Sequence, residues 1–102
     1  MALKKQYMKS KPLCRVTFIL PPENAGGASK ASLAGDFNKW DVQATPMKRS
    51  RSGAFSTTVL LDKGKEYQFK YILDDSRWEN DPQADKYSPS PVSDSQNSVV
   101  AV

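Results

Sequence analysis

Hydrophobic and polar positions alternate with a period of two through most of this chain. From Leu13 to Leu20, Val16, Phe18 and Leu20 fall on one side while Arg15 and Thr17 fall on the other, which predicts a half-buried strand. Residues 54–61 and 65–73 are the clearest further strands. In the second of them Tyr67, Phe69, Tyr71 and Leu73 share one face and Gln68, Lys70 and Ile72 the other. The aromatic face is therefore predicted to meet the core, with Lys70 projecting from the opposite side. Shorter extended pieces are predicted at residues 31–34, 45–48 and 77–79, and in the β-branched stretch 98–102.

Turn formers separate these pieces. Pro21 to Lys30 holds two prolines and two glycines, Ser50 to Gly53 reads as a hairpin turn, and Asp62-Lys63-Gly64 as a second tight turn. Asp74-Asp75-Ser76 and Asn80-Asp81-Pro82 break the chain again, and a long polar segment rich in Ser and Pro ends at Gln96. No stretch sustains the period of a helix. Many short strands with turns between them predict an all-β, immunoglobulin-like antiparallel β-sandwich, with a small β-barrel as the alternative. The domain is expected over residues 13–102, behind a mobile basic arm at residues 1–12 that Pro12 closes.

Composition narrows what such a domain does. At 102 residues and 38% hydrophobic the chain is one globular domain. Its longest apolar run, 16–20, contains Thr17 and stops at Pro21-Pro22, so no helix could span a bilayer. The N-terminal lysines are not followed by an apolar core of a signal peptide. A cytoplasmic location and no membrane partner are the expectation.

One cysteine, Cys14, and no histidine exclude an internal disulfide framework, the usual zinc ligand sets and histidine-based proton shuttles. The acidic residues between Asp74 and Asp85 lack the fixed glycine and terminal glutamate of a calcium loop and are explained by aspartate-rich turns. Carboxylates alone could serve a glycosidase, but a domain this small has little room for a walled cleft. No glycine-rich phosphate cradle is present. Neither a cofactor nor an enzymatic activity is expected.

The net charge of +4 comes largely from Lys4, Lys5, Lys9, Lys11 and Arg15, and from Lys48, Arg49 and Arg51. Such patches attract phosphates, but this charge is modest for a nucleic-acid binder and fits a solvated tail and a hairpin tip. A nucleic-acid partner is not expected.

The hexapeptide Gly35-Asp36-Phe37-Asn38-Lys39-Trp40 sets two large aromatics among turn formers. Gly35 permits a sharp departure from the preceding strand, and Asp36 and Asn38 can bond nearby backbone. One aromatic is expected to anchor the loop and the other to stand on its rim. With Trp78, Lys70 and Asn97, Trp40 suits a ligand with flat apolar faces and a rim of hydroxyls. A pyranose ring has both, its C–H groups lying on indole and its hydroxyls meeting lysine and asparagine. Bases of a single strand would also stack. From the residues alone both remain open.

These residues, with Pro46, the turn Asp62-Lys63-Gly64, Tyr67-Gln68-Phe69-Lys70-Tyr71, Asp81-Pro82 and the valine-rich last strand, resemble the glycogen-binding domain of the AMP-activated kinase β subunit. That domain lies within carbohydrate-binding module family 48, the isoamylase N-terminal, early-set type of sandwich. The likeness covers about residues 13–102. It implies a noncatalytic α-1,4-glucan module in which Trp40 and Trp78 stack on successive glucose units and Lys70 and Asn97 bond hydroxyls. Ser95 stands where a threonine assists.

Two positions depart from the family pattern. Asp74-Asp75-Ser76-Arg77 replaces a compact Asp-Gly turn, which would displace Trp78 from the plane set by Trp40. Val92 is the nearest candidate for an apolar sugar contact. The alternative reading is an interaction domain that docks on a separate glucan-metabolising enzyme or kinase and has no sugar affinity of its own.

Overall fold

In the computed structural model, which describes residues 3–89 and 96–102, the alternating segments are strands. In chain order they are β1 Leu3–Tyr7, β2 Leu13–Leu20, β3 Ala31–Gly35, β4 Lys48–Arg49, β5 Phe55–Asp62, β6 Glu66–Leu73, β7 Arg77–Glu79, β8 Lys86–Pro89 and β9 Gln96–Ala101. One turn of helix, α1 Pro22–Ala25, lies between β2 and β3 and ends on Gly26 in a left-handed conformation. A 3-10 turn, Asp36–Asn38, follows β3.

All pairings between these strands are antiparallel. One sheet runs β1-β2-β5-β4 and the other β3-β6-β9-β8, with β7 also paired to β6. The inward-facing residues of the two sheets make one core, as the sandwich expectation requires. Cys14, Val16, Phe18 and Leu20 of β2 face Phe69, Tyr71 and Leu73 of β6, all buried. Phe18 meets Phe69 edge-on with ring centroids 5.0 Å apart, and Phe69 meets Tyr71 at 5.7 Å, arrangements that favour aromatic pairs beyond their buried area.

Three segments differ from the sequence reading. Leu3–Tyr7, expected within a mobile arm, is an edge strand of the first sheet, with Leu3 opposite Phe18 and Tyr7 opposite Cys14. Leu3 is buried, Lys5 Nζ meets Asp85 at 2.7 Å, and Lys63 Nζ donates to the Met8 carbonyl. The strand is ordered by contacts with residues far along the chain, which a local reading of lysines does not register. Second, Asp62-Lys63-Gly64 is the tight turn expected, but it joins strands of different sheets. The turn carries the chain from β5 across the sandwich to β6, held by Gly64 N–H to Val102 O at 2.8 Å and Lys63 N–H to Pro12 O at 3.0 Å. Third, the polar segment before Gln96 contains β8, whose residues find partners in β9.

Candidate functional site

β6 is the strand on which the outer face of the second sheet is built. Its core-facing residues alternate with Gln68, Lys70 and Ile72 on the other side, and the register carries that alternation to its neighbours. On one flank Ala34 lies opposite Lys70 and Ser32 opposite Ile72. The other flank is shared end to end by two strands. β7 pairs with its later half, so that Trp78 lies opposite Ile72. β9 pairs with its earlier half, where Val99 lies opposite Gln68, and one step beyond the Phe69–Ser98 pair Lys70 and Asn97 come level.

Lys70, Trp78 and Asn97 therefore stand on one face, brought together by backbone pairing. Trp78 keeps 47% of its surface exposed, while Ile72, its cross-strand partner, is buried. Lys70 is half-buried. Asn97 is buried and donates through Nδ2 to Gln68 Oε1 at 2.9 Å, which fixes its amide. The turn before Trp78 supplies two successive left-handed residues, Asp74 at φ +50° and Asp75 at φ +64°. These do the conformational work that glycine would do in a compact turn, and Trp78 remains in register on the outer face.

Trp40, half-buried in the loop after β3, is joined to β6 through Asp36. Phe37 turns inward against Phe18 (5.6 Å) and Tyr67 (6.1 Å) and is the anchor. Asn38 accepts from Gly35 N–H and donates to Leu33 O and Thr45 Oγ1, cinching both ends of the loop. Asp36 uses one carboxylate oxygen for Trp40 Nε1–H at 2.9 Å and the other for Gln68 N–H at 2.8 Å. The loop is also hung on the outer face by Ser32 Oγ–H to Val42 O at 2.9 Å.

Lys39 and Trp40 both have left-handed backbone, φ +58° and +57°, which bulky residues seldom adopt without being held there. Gly35 has another role than the one expected. Its backbone is extended, φ −171°, a conformation open to any residue. What excludes a side chain is space, because a Cβ would lie 2.6 Å from Gln68 O and 2.8 Å from a Phe37 ring carbon.

Ser95 and Val92 lie outside the described residues. Two residues of the face were not assigned from the sequence. Gln68 orients Asn97, and Asp36 orients Trp40. Gln68 was legible, since it precedes Lys70 by two positions in a strand; Asp36 required knowing which way the loop folds. Beneath Asn97 is a polar network. Asp81, buried between β7 and β8, accepts from Tyr71 OH at 2.7 Å and donates through its N–H to Ser98 Oγ, which donates to Asn80 Oδ1. Burial pushes the Tyr71 phenol well above its usual value, with the neighbouring Asp81 charge and hydrogen bond adding to it, and burial also raises the Asp81 carboxyl. Among the described residues no group of three or more metal-ligating side chains comes together.

A sandwich whose outer sheet face carries tryptophan, lysine and a fixed amide has the form of a carbohydrate-binding module. Residues 23–101 match the family model of the glycogen recognition site of AMP-activated protein kinase, and the chain belongs to that family. No curated protein matches it.

Proposed function

We propose that this chain is a noncatalytic α-1,4-glucan binding module whose ligand lies on the outer face of the second sheet. The observation that carries the reading is the convergence of Lys70, Trp78 and Asn97 on that face through strand register, in a chain of the glycogen-recognition family. Trp78 offers the flat apolar surface for the C–H face of one glucose unit. Trp40, clamped by Asp36 at a strained backbone position, offers a second. Lys70 donates to hydroxyls, and Asn97, with one amide hydrogen committed to Gln68, retains an amide oxygen and a further hydrogen for the sugar. Ser95 is proposed as an assisting hydroxyl.

The test is a titration with maltoheptaose followed by tryptophan fluorescence. Trp78→Ala is expected to weaken binding on the order of thirtyfold, from loss of an aromatic anchor worth about 2 kcal/mol. Equal binding by wild type, Trp40→Ala and Trp78→Ala would refute the platform. The competing interaction-domain reading needs both indoles covered, and the exposure of Trp78 stands against it.

A further inference from the structure

A groove of about 280 Å³ continues the outer face on the far side of Asn97 from Trp78, lined by Asp36, Glu66, Gln68, Lys86, Tyr87, Ser88 and Val99. The register puts it on the same surface as the platform. Val99 lies opposite both Gln68 and Lys86, and Ser88 lies opposite Asn97. Gln68 joins the two regions, since its Oε1 holds Asn97 while its backbone N–H holds Asp36. We infer that this groove is a further sugar subsite, which receives one more hexose unit of a glucan already seated on the tryptophans. The inference rests on the platform reading and extends it.

The size and chemistry of the groove select that ligand. Its volume is just below the range of about 300–1,000 Å³ typical of small-molecule pockets, which suits a single ring. Lys86 Nζ and Glu66 Oε2 are 2.6 Å apart, a donor and an acceptor side by side. Adjacent hydroxyls of a pyranose both donate and accept, so one can donate to the carboxylate while its neighbour accepts from the ammonium. Ser88 adds a hydroxyl, and Val99 gives a small apolar floor for C–H groups. With two carboxylates against one ammonium, the groove disfavours phosphate and other anions, and binding there should depend little on salt.

The site makes affinity depend on chain length. A short oligosaccharide satisfies the tryptophans alone, while a longer one also fills the groove. Lys86 and Glu66 side chains are each about half exposed, so Lys86→Ala and Glu66→Gln are expected to fold with unchanged melting temperature. The experiment measures dissociation constants of wild type, both variants and Trp78→Ala for maltotriose and maltoheptaose. The expected result is that the groove variants bind maltoheptaose about three- to tenfold more weakly, the effect of losing a single hydrogen bond, and bind maltotriose as wild type does. Groove variants that bind both sugars as wild type does, while Trp78→Ala loses both, would overturn the subsite and leave the platform standing. A Trp78→Ala variant that keeps full affinity for both would overturn the platform and the subsite with it.

Discussion

Gly35 and Asp36 show how closely the first tryptophan is built into its loop. Alanine at position 35 would place a methyl group against the Gln68 carbonyl and the Phe37 ring, and backbone cannot yield as a flexible side chain would. Gly35→Ala is expected to destabilise the domain by about 1–3 kcal/mol, read as a lowered urea midpoint. Asp36→Ala is expected to leave the fold in place while releasing the Trp40 indole, so that its side-chain NMR signal loses its distinct shift and glucan affinity falls. The types of residue in this loop were legible in the sequence, because an aromatic pair among Gly, Asp and Asn announces an ordered turn. Their division of labour was not. The need for glycine came from a strand more than thirty positions away, and only the folded register shows that contact.

The β6–β7 hairpin is the element on which the placement of Trp78 turns, and its chemistry lies in one aspartate. Asp74 Oδ1 accepts from Ser29 Oγ–H and N–H and from Lys30 N–H, tying the hairpin to the approach to β3. The Ser29 hydroxyl bond is the chief cause holding its carboxyl below the usual value of 3.8, with the two backbone bonds next. A depressed carboxyl stabilises the fold above its unfolded value and loses that contribution as pH falls through the lower, folded one. The stability difference between wild type and Asp74→Asn should therefore be present at neutral pH and close as the solution is acidified below about 4, measured by urea unfolding across pH.

Asp75→Gly is expected to raise stability slightly, by at most about 1 kcal/mol, because glycine adopts a positive φ without cost and the Lys30–Asp75 ion pair it removes is exposed. The sequence announced a turn here but gave no sign that Ser29 would be its partner. Period-two patterning located β2 and β6, whose inward faces are largely buried, and β5, whose inward face runs from buried Phe55 to buried Leu61. It missed β1 and β8, polar edge strands whose order depends on neighbours such as Asp85 and Val99.

Across the molecule, the core lies between the two sheets and the proposed ligand contacts lie on the outer face of the second. Among the described residues, that outer face buries the apolar side chains of Ala34, Ile72 and Val99 beside the proposed ligand contacts. The Tyr71–Asp81 pair under that face links β6, the β7–β8 connection and β9. Tyr71→Phe is expected to cost about 1–3 kcal/mol by leaving a buried acceptor unsatisfied. It should also change the alkaline limb. A phenol raised above its usual 10.0 keeps its proton longer in the folded state than in the unfolded one, so stability falls as pH climbs past 10. That slope should be shallower in Tyr71→Phe, as followed by circular dichroism from pH 8 to 12. The overall class of fold was open to sequence reasoning because the strand pattern is regular. The crossing of Asp62-Lys63-Gly64 between sheets was not, since a tight turn looks the same locally whether it folds back or crosses over.

The sharing of one flank of β6 by β7 and β9 also bears on how this protein can change over generations. A single-residue insertion within β6 or β9 would turn Lys70 or Asn97 inward and set the hydrophobic residues outward, so it would be eliminated with the fold. Lengthening the β7–β8 connection after Asp81 would disturb neither pairing. The proposed ligand contacts can therefore be altered through substitutions on the outer face and through that connection, while Trp78 and Asn97 keep their places beside β6.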